Sequence, residues 1–297
     1  MIILIAVALA IIGVTVSETI SFLPRPGQAT AAPQGFNGAR AYQDVLAQSA
    51  FGPRLPDTPA HAQAVSYISQ QLAAAGWTAT VQSQQIDGHT ARNIVADRGG
   101  QPPAILLGAH YDSRMWASND PDALNQKKPV PGADDGASGV AVLLEIARTL
   151  PADAVPVRLV FFDIEDNGDI PGWDWILGSK AYAAALTDKP KAVVVLDMIG
   201  DANLNIYQEQ NSDAEYTRQI WDTAKKLGYD KAFIPQAKYR VEDDHLPFIQ
   251  KGLRAVDIID LDYLYWHTTQ DTPDKVSAKS LQIVGATLLA WIRTFPK

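Results

Sequence analysis

A mostly apolar run near the middle of the chain ends in a cluster of carboxylates. Residues 157–162 are mostly β-branched and aromatic, and Asp163, Glu165 and Asp166 follow directly. Such a run is typical of a strand buried on both faces of a sheet. Neighbouring buried acids repel one another and lose hydration, so they indicate a bound cation or a proton-transfer role. A solvated turn at the end of the strand is the alternative interpretation.

Apolar runs of strand length alternate with helical periodicity along the rest of the chain. Further strands are predicted at residues 78–81, 93–95, 104–107, 192–196 and 255–259. Helices are predicted at residues 60–75, 139–150, 179–186, 213–227 and 277–291. This alternation predicts a single α/β domain with a central, mainly parallel mixed β-sheet flanked by helices on both faces.

Acidic and histidine side chains follow several of the predicted strands or open the helices after them. They are His110, Asp112, Asp135, Glu165, Asp166, Asp197 and, in a late loop, His267. Because the carboxyl ends of parallel strands meet at one edge of a sheet, these side chains are expected to converge. One histidine with two carboxylates around an open position suits catalytic zinc. A lone loop histidine is more often structural, so the prediction depends on the whole group.

Composition narrows the functional classes. The net charge of −8 and the absence of a basic stripe argue against a nucleic-acid partner. The chain has no cysteine, so any metal must be held by His, Asp and Glu.

The chain begins with an apolar segment that is separate from the predicted domain. Residues 2–16 are continuously apolar, which is long enough for an export signal and short for a full membrane span. We therefore predict a signal or membrane anchor at 1–23, a Pro- and Gly-containing linker at 24–36 and a catalytic domain at 37–297. The protein is then exported to the periplasm or outside the cell, or anchored so that this segment contacts the membrane. A core helix is the alternative for residues 2–16.

The motifs resemble those of the zinc exopeptidase superfamily, which contains bacterial leucyl-type aminopeptidases and glutaminyl cyclases. The resemblance runs from residue 51 to 291 and includes the segments 110–112, 135–139, 165–166, 197 and 267. Four segments resemble the cyclase branch in particular, especially its bacterial members related to the animal enzyme: 110–114 (HYDSR), 196–200 (LDMIG), 243–248 (DDHLPF) and 266–268 (WHT).

The resemblance implies roles for individual residues. Asp135, Asp166 and His267 match the ligands of a catalytic zinc, and Glu165 matches a general base. His110, with Asp197, matches positions that complete a second metal site in the aminopeptidases. Asp112 is expected either at that second site or supporting the ligands from behind. Asp166 departs from the glutamate that animal cyclases and most aminopeptidases have there, which affects the coordination mode.

Two enzymatic hypotheses follow from the resemblance. A glutaminyl-peptide cyclotransferase would use one zinc ion to convert the N-terminal Gln of peptides or proteins to pyroglutamate with release of ammonia. Glu165 would then move protons, Asp197 and Asp244 would form a hydrogen-bonded pair near the ammonium, and Trp266 and Trp173 would wall the pocket. An aminopeptidase would use two zinc ions, with Glu165 deprotonating a water. An inactive binding ectodomain of the same fold is the third interpretation.

Other polar and aromatic residues near these motifs have competing explanations. Trp173 and Trp175 lie in the same loop, and either could be the wall or a surface residue. Asp134 is expected to cap the helix that follows it. Asp163 is expected to accept hydrogen bonds behind the ligands, and His245 to be a capping or core residue.

Overall fold

The computed structural model describes residues 35–296 of the chain. The strands of this region are β1 Thr78–Ile86, β2 His89–Asp97, β3 Ile105–His110, β4 Val157–Phe162, β5 Ala192–Asp197, β6 Ile206–Gln208, β7 Phe233–Ala237 and β8 Ala255–Ile259. The helices are α1 Gly38–Ser49, α2 Pro59–Ala74, α3 Ala137–Thr149, α4 Leu177–Ala185, α5 Ala214–Lys226, α6 Leu246–Gln250 and α7 Ala278–Thr294, with a 3₁₀ turn at Pro273–Lys275.

Within residues 35–296 the main sheet has six strands in the order β1-β2-β4-β3-β5-β8. Strands β4, β3, β5 and β8 are parallel to their neighbours in this series. The hairpin β1–β2 is antiparallel and pairs antiparallel with β4 through β2. Two strands, β6 and β7, form a separate small sheet. The predicted fold class, a mixed and mainly parallel α/β sheet, is confirmed.

Strand β4, which precedes the acid cluster, lies inside the sheet and is buried on both faces, as its composition predicts. Leu159 and Phe161 pack on one face, in the core that contains helices α1, α2, α3, α5 and α7. Val160 and Phe162 point to the other face, against α4 and α6. Because strand side chains alternate between faces, the apolar residues 159–162 fill both layers, while Arg158 near the start of the strand pairs with Asp97 and Asp188.

Several elements differ from the sequence prediction. The strands β1 and β2 are longer than predicted, because Asp87 and Gly88 have φ values of 49° and 83° and close a two-residue hairpin. Polar residues on the exposed edge strand had hidden its length. Helix α1 was not predicted; Asn37 caps it by accepting the N–H of Arg40. The small sheet was not predicted either.

The predicted N-terminal segment 1–23 and nearly all of the linker 24–36 lie outside the described residues. Across residues 35–296, none of the helices combines the length and the apolar character that crossing a bilayer requires.

Candidate metal and active site

The parallel strands end at one edge of the main sheet, and the candidate residues lie at or just after these strand ends. His110 is the last residue of β3, and Asp197 is the last residue of β5. Glu165 and Asp166 follow β4 after a turn in which Ile164 has a φ of 46°. The parallel arrangement therefore brings these side chains to one edge, as predicted.

Asp135, Asp166 and His267 form a buried triad whose potential ligand atoms all lie within 4.8 Å of one another. His267 Nε2 lies 2.9 Å from Asp166 Oδ1 and 3.7 Å from Asp135 Oδ2. Among the described residues, Oδ2 of Asp135 and Oδ2 of Asp166 have no hydrogen-bond partner. Burying a carboxylate oxygen without a partner is costly, so the triad fits a cation. One histidine and two carboxylates are ligands that zinc accepts.

The turn that opens α3 holds Asp135 in place. Its backbone N–H donates to Asp271 Oδ2 at 3.2 Å, and the N–H of Asp134 donates to Asp271 Oδ1 at 2.9 Å. Gly136 follows with a φ of 91°, and a Cβ there would lie 2.9 Å from the carbonyl oxygen of Asp112. This position therefore requires glycine, both for its backbone angle and for space.

His110 forms a second group with Asp135 and Asp197. Its Nε2 lies 3.0 Å from Asp135 Oδ1 and 3.2 Å from Asp197 Oδ1. Although burial alone would lower the pKa of His110, hydrogen bonds with acids including Asp112 raise it well above its ordinary value. Burial raises the pKa of Asp197 to about 7, against the opposing effect of His110. His110 Nε2 thus contacts both carboxylates of this group, whereas among the described residues His110 Nδ1 and Asp135 Oδ2 have no hydrogen-bond partner.

The side chain of Asp112 supports the acid pair, Glu165 and Asp166, by accepting hydrogen bonds from their backbone N–H groups. Its Oδ1 accepts the N–H of Glu165 at 3.0 Å, and its Oδ2 accepts the N–H of Asp166 at 3.3 Å. Oδ1 also lies 3.5 Å from His110 Nδ1. Of the two predicted roles for Asp112, the geometry favours support over direct ligation.

Two further acids have structural contacts. Asp134 was expected to cap α3, but this is wrong: the helix has no side-chain cap, and Asp134 Oδ1 instead accepts the N–H of Gly200 at 2.6 Å. Asp163 accepts from the backbone N–H of Arg92 at 2.7 Å and lies 2.7 Å from His61 Nε2. Asp163 therefore pairs with His61, which is not a member of the triad.

A pocket of about 230 Å³ opens beside the triad. One part of its lining is acidic and another apolar: Asp135, Glu165, Asp166, Trp175, Asp197, Met198, Val241, Glu242, Asp243, Ile259, Leu261, Trp266 and His267. The volume is below the range of drug-sized ligand sites, so the pocket suits a small group such as one amino-acid side chain.

Glu165 is the acid of the pocket with an environment suited to proton transfer. Burial raises the pKa of its carboxyl well above the ordinary value; the charge of His110 opposes this, and that of Asp166 adds to it. A carboxylate with a raised pKa exchanges protons more readily near neutral pH.

The structure does not bring Asp244 to the pocket, and its neighbour Asp243 lines the wall instead. Asp244 is fully buried and interacts with Ser179 behind that wall. Asp243 and Asp244 lie at the turn that leads into α6, where the N–H of Leu246 donates to the carbonyl oxygen of Asp243 at 2.8 Å, and Asp243 is the one of the two that lines the pocket. The structure does not form the expected hydrogen-bonded pair of Asp197 and Asp244, because neither carboxyl oxygen of Asp244 has a hydrogen-bond partner among residues 35–296; Asp197 and Asp243 line the pocket.

The structure also places Trp175 rather than Trp173 in the pocket wall. The Trp175 ring is parallel to that of His267, with centroids 5.8 Å apart, and Trp266 lies 4.2 Å from the same imidazole. Trp173 instead stacks on His89 of the β1–β2 hairpin at 3.7 Å. Trp266 lines the pocket as expected.

Two buried arginines were not recognised from the sequence. Arg54 donates to the carbonyl oxygens of Tyr111 at 2.8 Å and Gly132 at 2.6 Å, joining two loops of the site. Arg114 donates to the carbonyl oxygen of Asp166 at 2.9 Å. Arg114 lies in the 110–114 motif and Arg54 at the start of the region that the resemblance covers, but charge in a predicted loop normally indicates solvent exposure, so their burial could not be predicted.

The fold and the buried triad together define a metallopeptidase-like α/β protein. The model of peptidase family M28 matches residues 93–292, and the chain belongs to this family. Family and fold suggest a zinc cofactor, for which the triad supplies suitable ligands.

Similar structures and sequences include members with different activities. A Zn-dependent exopeptidase from Parabacteroides distasonis has a TM-score of 0.84 and 34% identity, covering 89% of this chain and 100% of the other. Tannerella forsythia glutaminyl cyclase has a TM-score of 0.82 and 36% identity, covering 88% and 100%. Aminopeptidase YwaD of Bacillus subtilis is 26% identical over 231 residues, or 70% of this chain and 45% of the relative. The chain spans less than half the length of two curated relatives that it matches, at 42% and 45%.

Proposed function

We propose that the protein is a zinc-dependent glutaminyl-peptide cyclotransferase, an acyltransferase that converts the N-terminal Gln of peptides or proteins to pyroglutamate and releases ammonia. The observation that carries the proposal is the difference between the two groups around Asp135. Each group has one histidine–aspartate hydrogen bond, but in the triad both carboxylates, Asp135 and Asp166, keep a buried Oδ2 without a hydrogen-bond partner among residues 35–296. One ion beside an acidic pocket suits an intramolecular reaction that needs no activated water.

The similarity to a bacterial glutaminyl cyclase over nearly the whole of both chains supports this choice. Asp135, Asp166 and His267 would hold the zinc ion. When bound, zinc would act as a Lewis acid on the side-chain carbonyl of the substrate glutamine.

The residues of the pocket would carry the proton transfers. The α-amine nitrogen of the substrate bonds to its own side-chain carbonyl carbon, and the bond from that carbon to the amide nitrogen breaks. Glu165 would accept the proton that the amine loses and donate it to the leaving nitrogen, which departs as ammonia. Asp197 and Asp243 would favour an amino group at the pocket floor, and Trp266 and Trp175 would exclude water and hold the chain in attack geometry.

The test is mass spectrometry of a Gln-initiated peptide after incubation with zinc-loaded enzyme, beside a matched Leu-initiated peptide. Loss of ammonia from the first peptide with the second intact is the expected result. Release of free glutamine or leucine would refute the cyclase and establish a hydrolase.

The second candidate is a zinc aminopeptidase, which the group of His110, Asp135 and Asp197 favours because it could hold a second ion. In that case the ion would help to activate a water, and Glu165 would deprotonate it. Metal analysis of the purified protein distinguishes the candidates, with one zinc per chain expected for the cyclase and two for the aminopeptidase.

We also propose that residues 1–23 direct export or anchor the catalytic domain to a membrane. Fractionation of cells expressing the full chain tests this, with the protein expected in the exported or membrane fraction. Equal recovery from the cytoplasm of the full chain and of a chain lacking residues 1–23 would contradict it.

A further inference from the structure

The β3–α3 loop, residues 116–131, lies beside the candidate metal site. Its base is closed by the N–H of Val130, which donates to the carbonyl oxygen of Arg114 at 3.0 Å, and by the N–H of Ala117, which donates to that of Lys128 at 2.8 Å. Ala117 and Val130 are fully buried. The loop is therefore pinned to the body of the protein at both of its ends.

At its base, the loop contacts the segment that carries the ligand Asp166. Arg114 donates to the carbonyl oxygens of Asp166 at 2.9 Å and Gly168 at 3.0 Å. The N–H of Met115 donates to Asn167 Oδ1 at 2.9 Å. The chain entering the loop is thus fixed relative to one metal ligand.

Further along, the loop contacts the segment that carries the other ligand, His267. The N–H of Asn119 donates to the carbonyl oxygen of His267 at 3.0 Å. The next residue, Asp120, accepts on Oδ2 both the N–H of Thr269 at 2.9 Å and its hydroxyl at 2.5 Å. Two consecutive loop residues therefore hold the backbone on both sides of Thr268.

Asp120 joins these contacts to the rest of the loop. Its Oδ1 accepts the N–H of Asp122 at 3.0 Å and the side-chain amide of Asn125 at 3.2 Å. The residue is only 2% exposed. One carboxylate thus ties the loop to itself with one oxygen and to the His267 segment with the other.

The His267 segment needs such support because its backbone is unfavourable. His267 has a φ of 55°, in the left-handed region that residues with a Cβ seldom adopt. A conformation of this kind persists only when its surroundings hold it. A ligand on a segment that can relax would lose its alignment with Asp135 and Asp166.

We propose that Asp120 is a positioning residue for the metal site, which holds His267 in the geometry that binds zinc. Residues that orient metal ligands typically change metal affinity or activity by about 10- to 100-fold when they are replaced. The inference rests on the proposed zinc site and is independent of whether the reaction is cyclisation or hydrolysis.

The experiment measures zinc affinity of the full chain by competition with the chelating indicator 4-(2-pyridylazo)resorcinol. Asp120→Ala is expected to weaken zinc binding by about 10- to 100-fold. Asp122→Ala is the matched control, because it removes the same charge from the same loop but its Oδ1 accepts only the N–H of Leu124 in that loop. Its zinc affinity is expected to equal that of the native chain. The visible spectrum of the cobalt-substituted protein is expected to change in Asp120→Ala and to stay native in Asp122→Ala.

A milder pair of variants keeps the test decisive if Asp120→Ala does not fold. Thr269→Val removes the hydroxyl donor and is expected to weaken zinc binding. Thr269→Ser keeps the donor and is expected to bind zinc with native affinity. Native affinity and an unchanged cobalt spectrum in either Asp120→Ala or Thr269→Val would overturn the inference. Failure of the native chain to bind zinc would instead refute the proposed metal site itself.

Discussion

Two charged clusters with buried acids in this protein are built on opposite principles. Between α1 and α3, Arg148 lies 2.5 Å from Asp44 Oδ2, and Arg40 lies 2.6 Å from Glu145 Oε2. Two arginines meet two acids there, so the charges cancel. At the carboxyl edge of the sheet, acids outnumber the basic groups, and within the described region several of their oxygens have no hydrogen-bond partner.

The difference separates a structural cluster from a functional one. A balanced cluster with its hydrogen bonds made holds helices together and leaves nothing for a ligand to satisfy. An acidic cluster at the edge of a sheet costs stability unless a cation or protons compensate it. Removing a charge should therefore have opposite consequences in the two places.

The largest effect is expected from Glu165→Gln, which removes an acid from the unbalanced cluster. Turnover should fall by about 10²- to 10⁴-fold, because the variant cannot accept or donate the transferred proton. Zinc content should stay at the native value, since the triad is untouched, and the free energy of unfolding should not decrease. Steady-state kinetics, metal analysis and urea unfolding measure the three quantities. Full activity in this variant would remove Glu165 from its proposed role.

Arg148→Met tests the balanced cluster. It leaves the buried Asp44 and Glu145 without one of their partners, so the free energy of unfolding should fall by about 3 to 5 kcal/mol. Activity per folded molecule should be native, because the cluster does not line the pocket. Urea unfolding and the turnover of the folded fraction check this.

An exposed arginine provides the control for that prediction. Arg218 pairs with Glu215 and Asp222 on the surface of α5, and Arg218→Met should have little effect on stability. Equal stability losses in the two arginine variants would contradict the distinction between a buried balanced cluster and a surface pair.

The sequence predicted the part of the fold that depends on buried strands. β4, β5 and β8 are short apolar runs filling both faces of the sheet, and this composition is visible without any knowledge of tertiary contacts. The extent of β1 and β2 could not be predicted from apolar runs, because their outward side chains are polar. The feature of the sequence that indicates the hairpin is the Asp87–Gly88 turn. Helix α1 has few apolar residues, and its burial depends on packing against α3 and α7.

The sequence predicted the site less completely than the fold. The approach of Asp135, Asp166 and His267 followed from strand ends and from the family resemblance. The sequence did not predict which of two neighbouring residues faces the pocket, as Asp243 and Asp244 illustrate. That choice depends on the backbone angles of a single turn, to which composition and spacing are insensitive.

The two tryptophans of one loop extend the comparison from charge to apolar walls. Trp175→Ala should raise KM for a Gln-initiated peptide by about 10- to 30-fold, because it removes an aromatic wall of the pocket. Trp173→Ala is the matched control and should leave KM unchanged, since its ring packs on His89. Steady-state kinetics with the Gln-initiated peptide measure KM in both variants. The reverse order of effects would restore Trp173 as the substrate-binding residue that the sequence predicted.

The last prediction concerns Asp260, a further buried acid, which directly follows β8. Burial raises its pKa to about 7, although the N–H groups of Asn205 and Asp262 oppose the shift. The folded protein then retains a proton that the unfolded chain releases above about pH 4, so the free energy of unfolding should decrease as pH rises from about 4 to 7. This group contributes at most about 1.4 kcal/mol per pH unit and adds no further slope above about pH 7. Asp260→Asn cannot titrate, so urea unfolding between pH 5 and 7 should show a shallower decrease than in the native chain, whatever its absolute stability. Identical slopes would mean that Asp260 stays ionised when buried, and that excess acid at this edge is compensated by contacts rather than by protons.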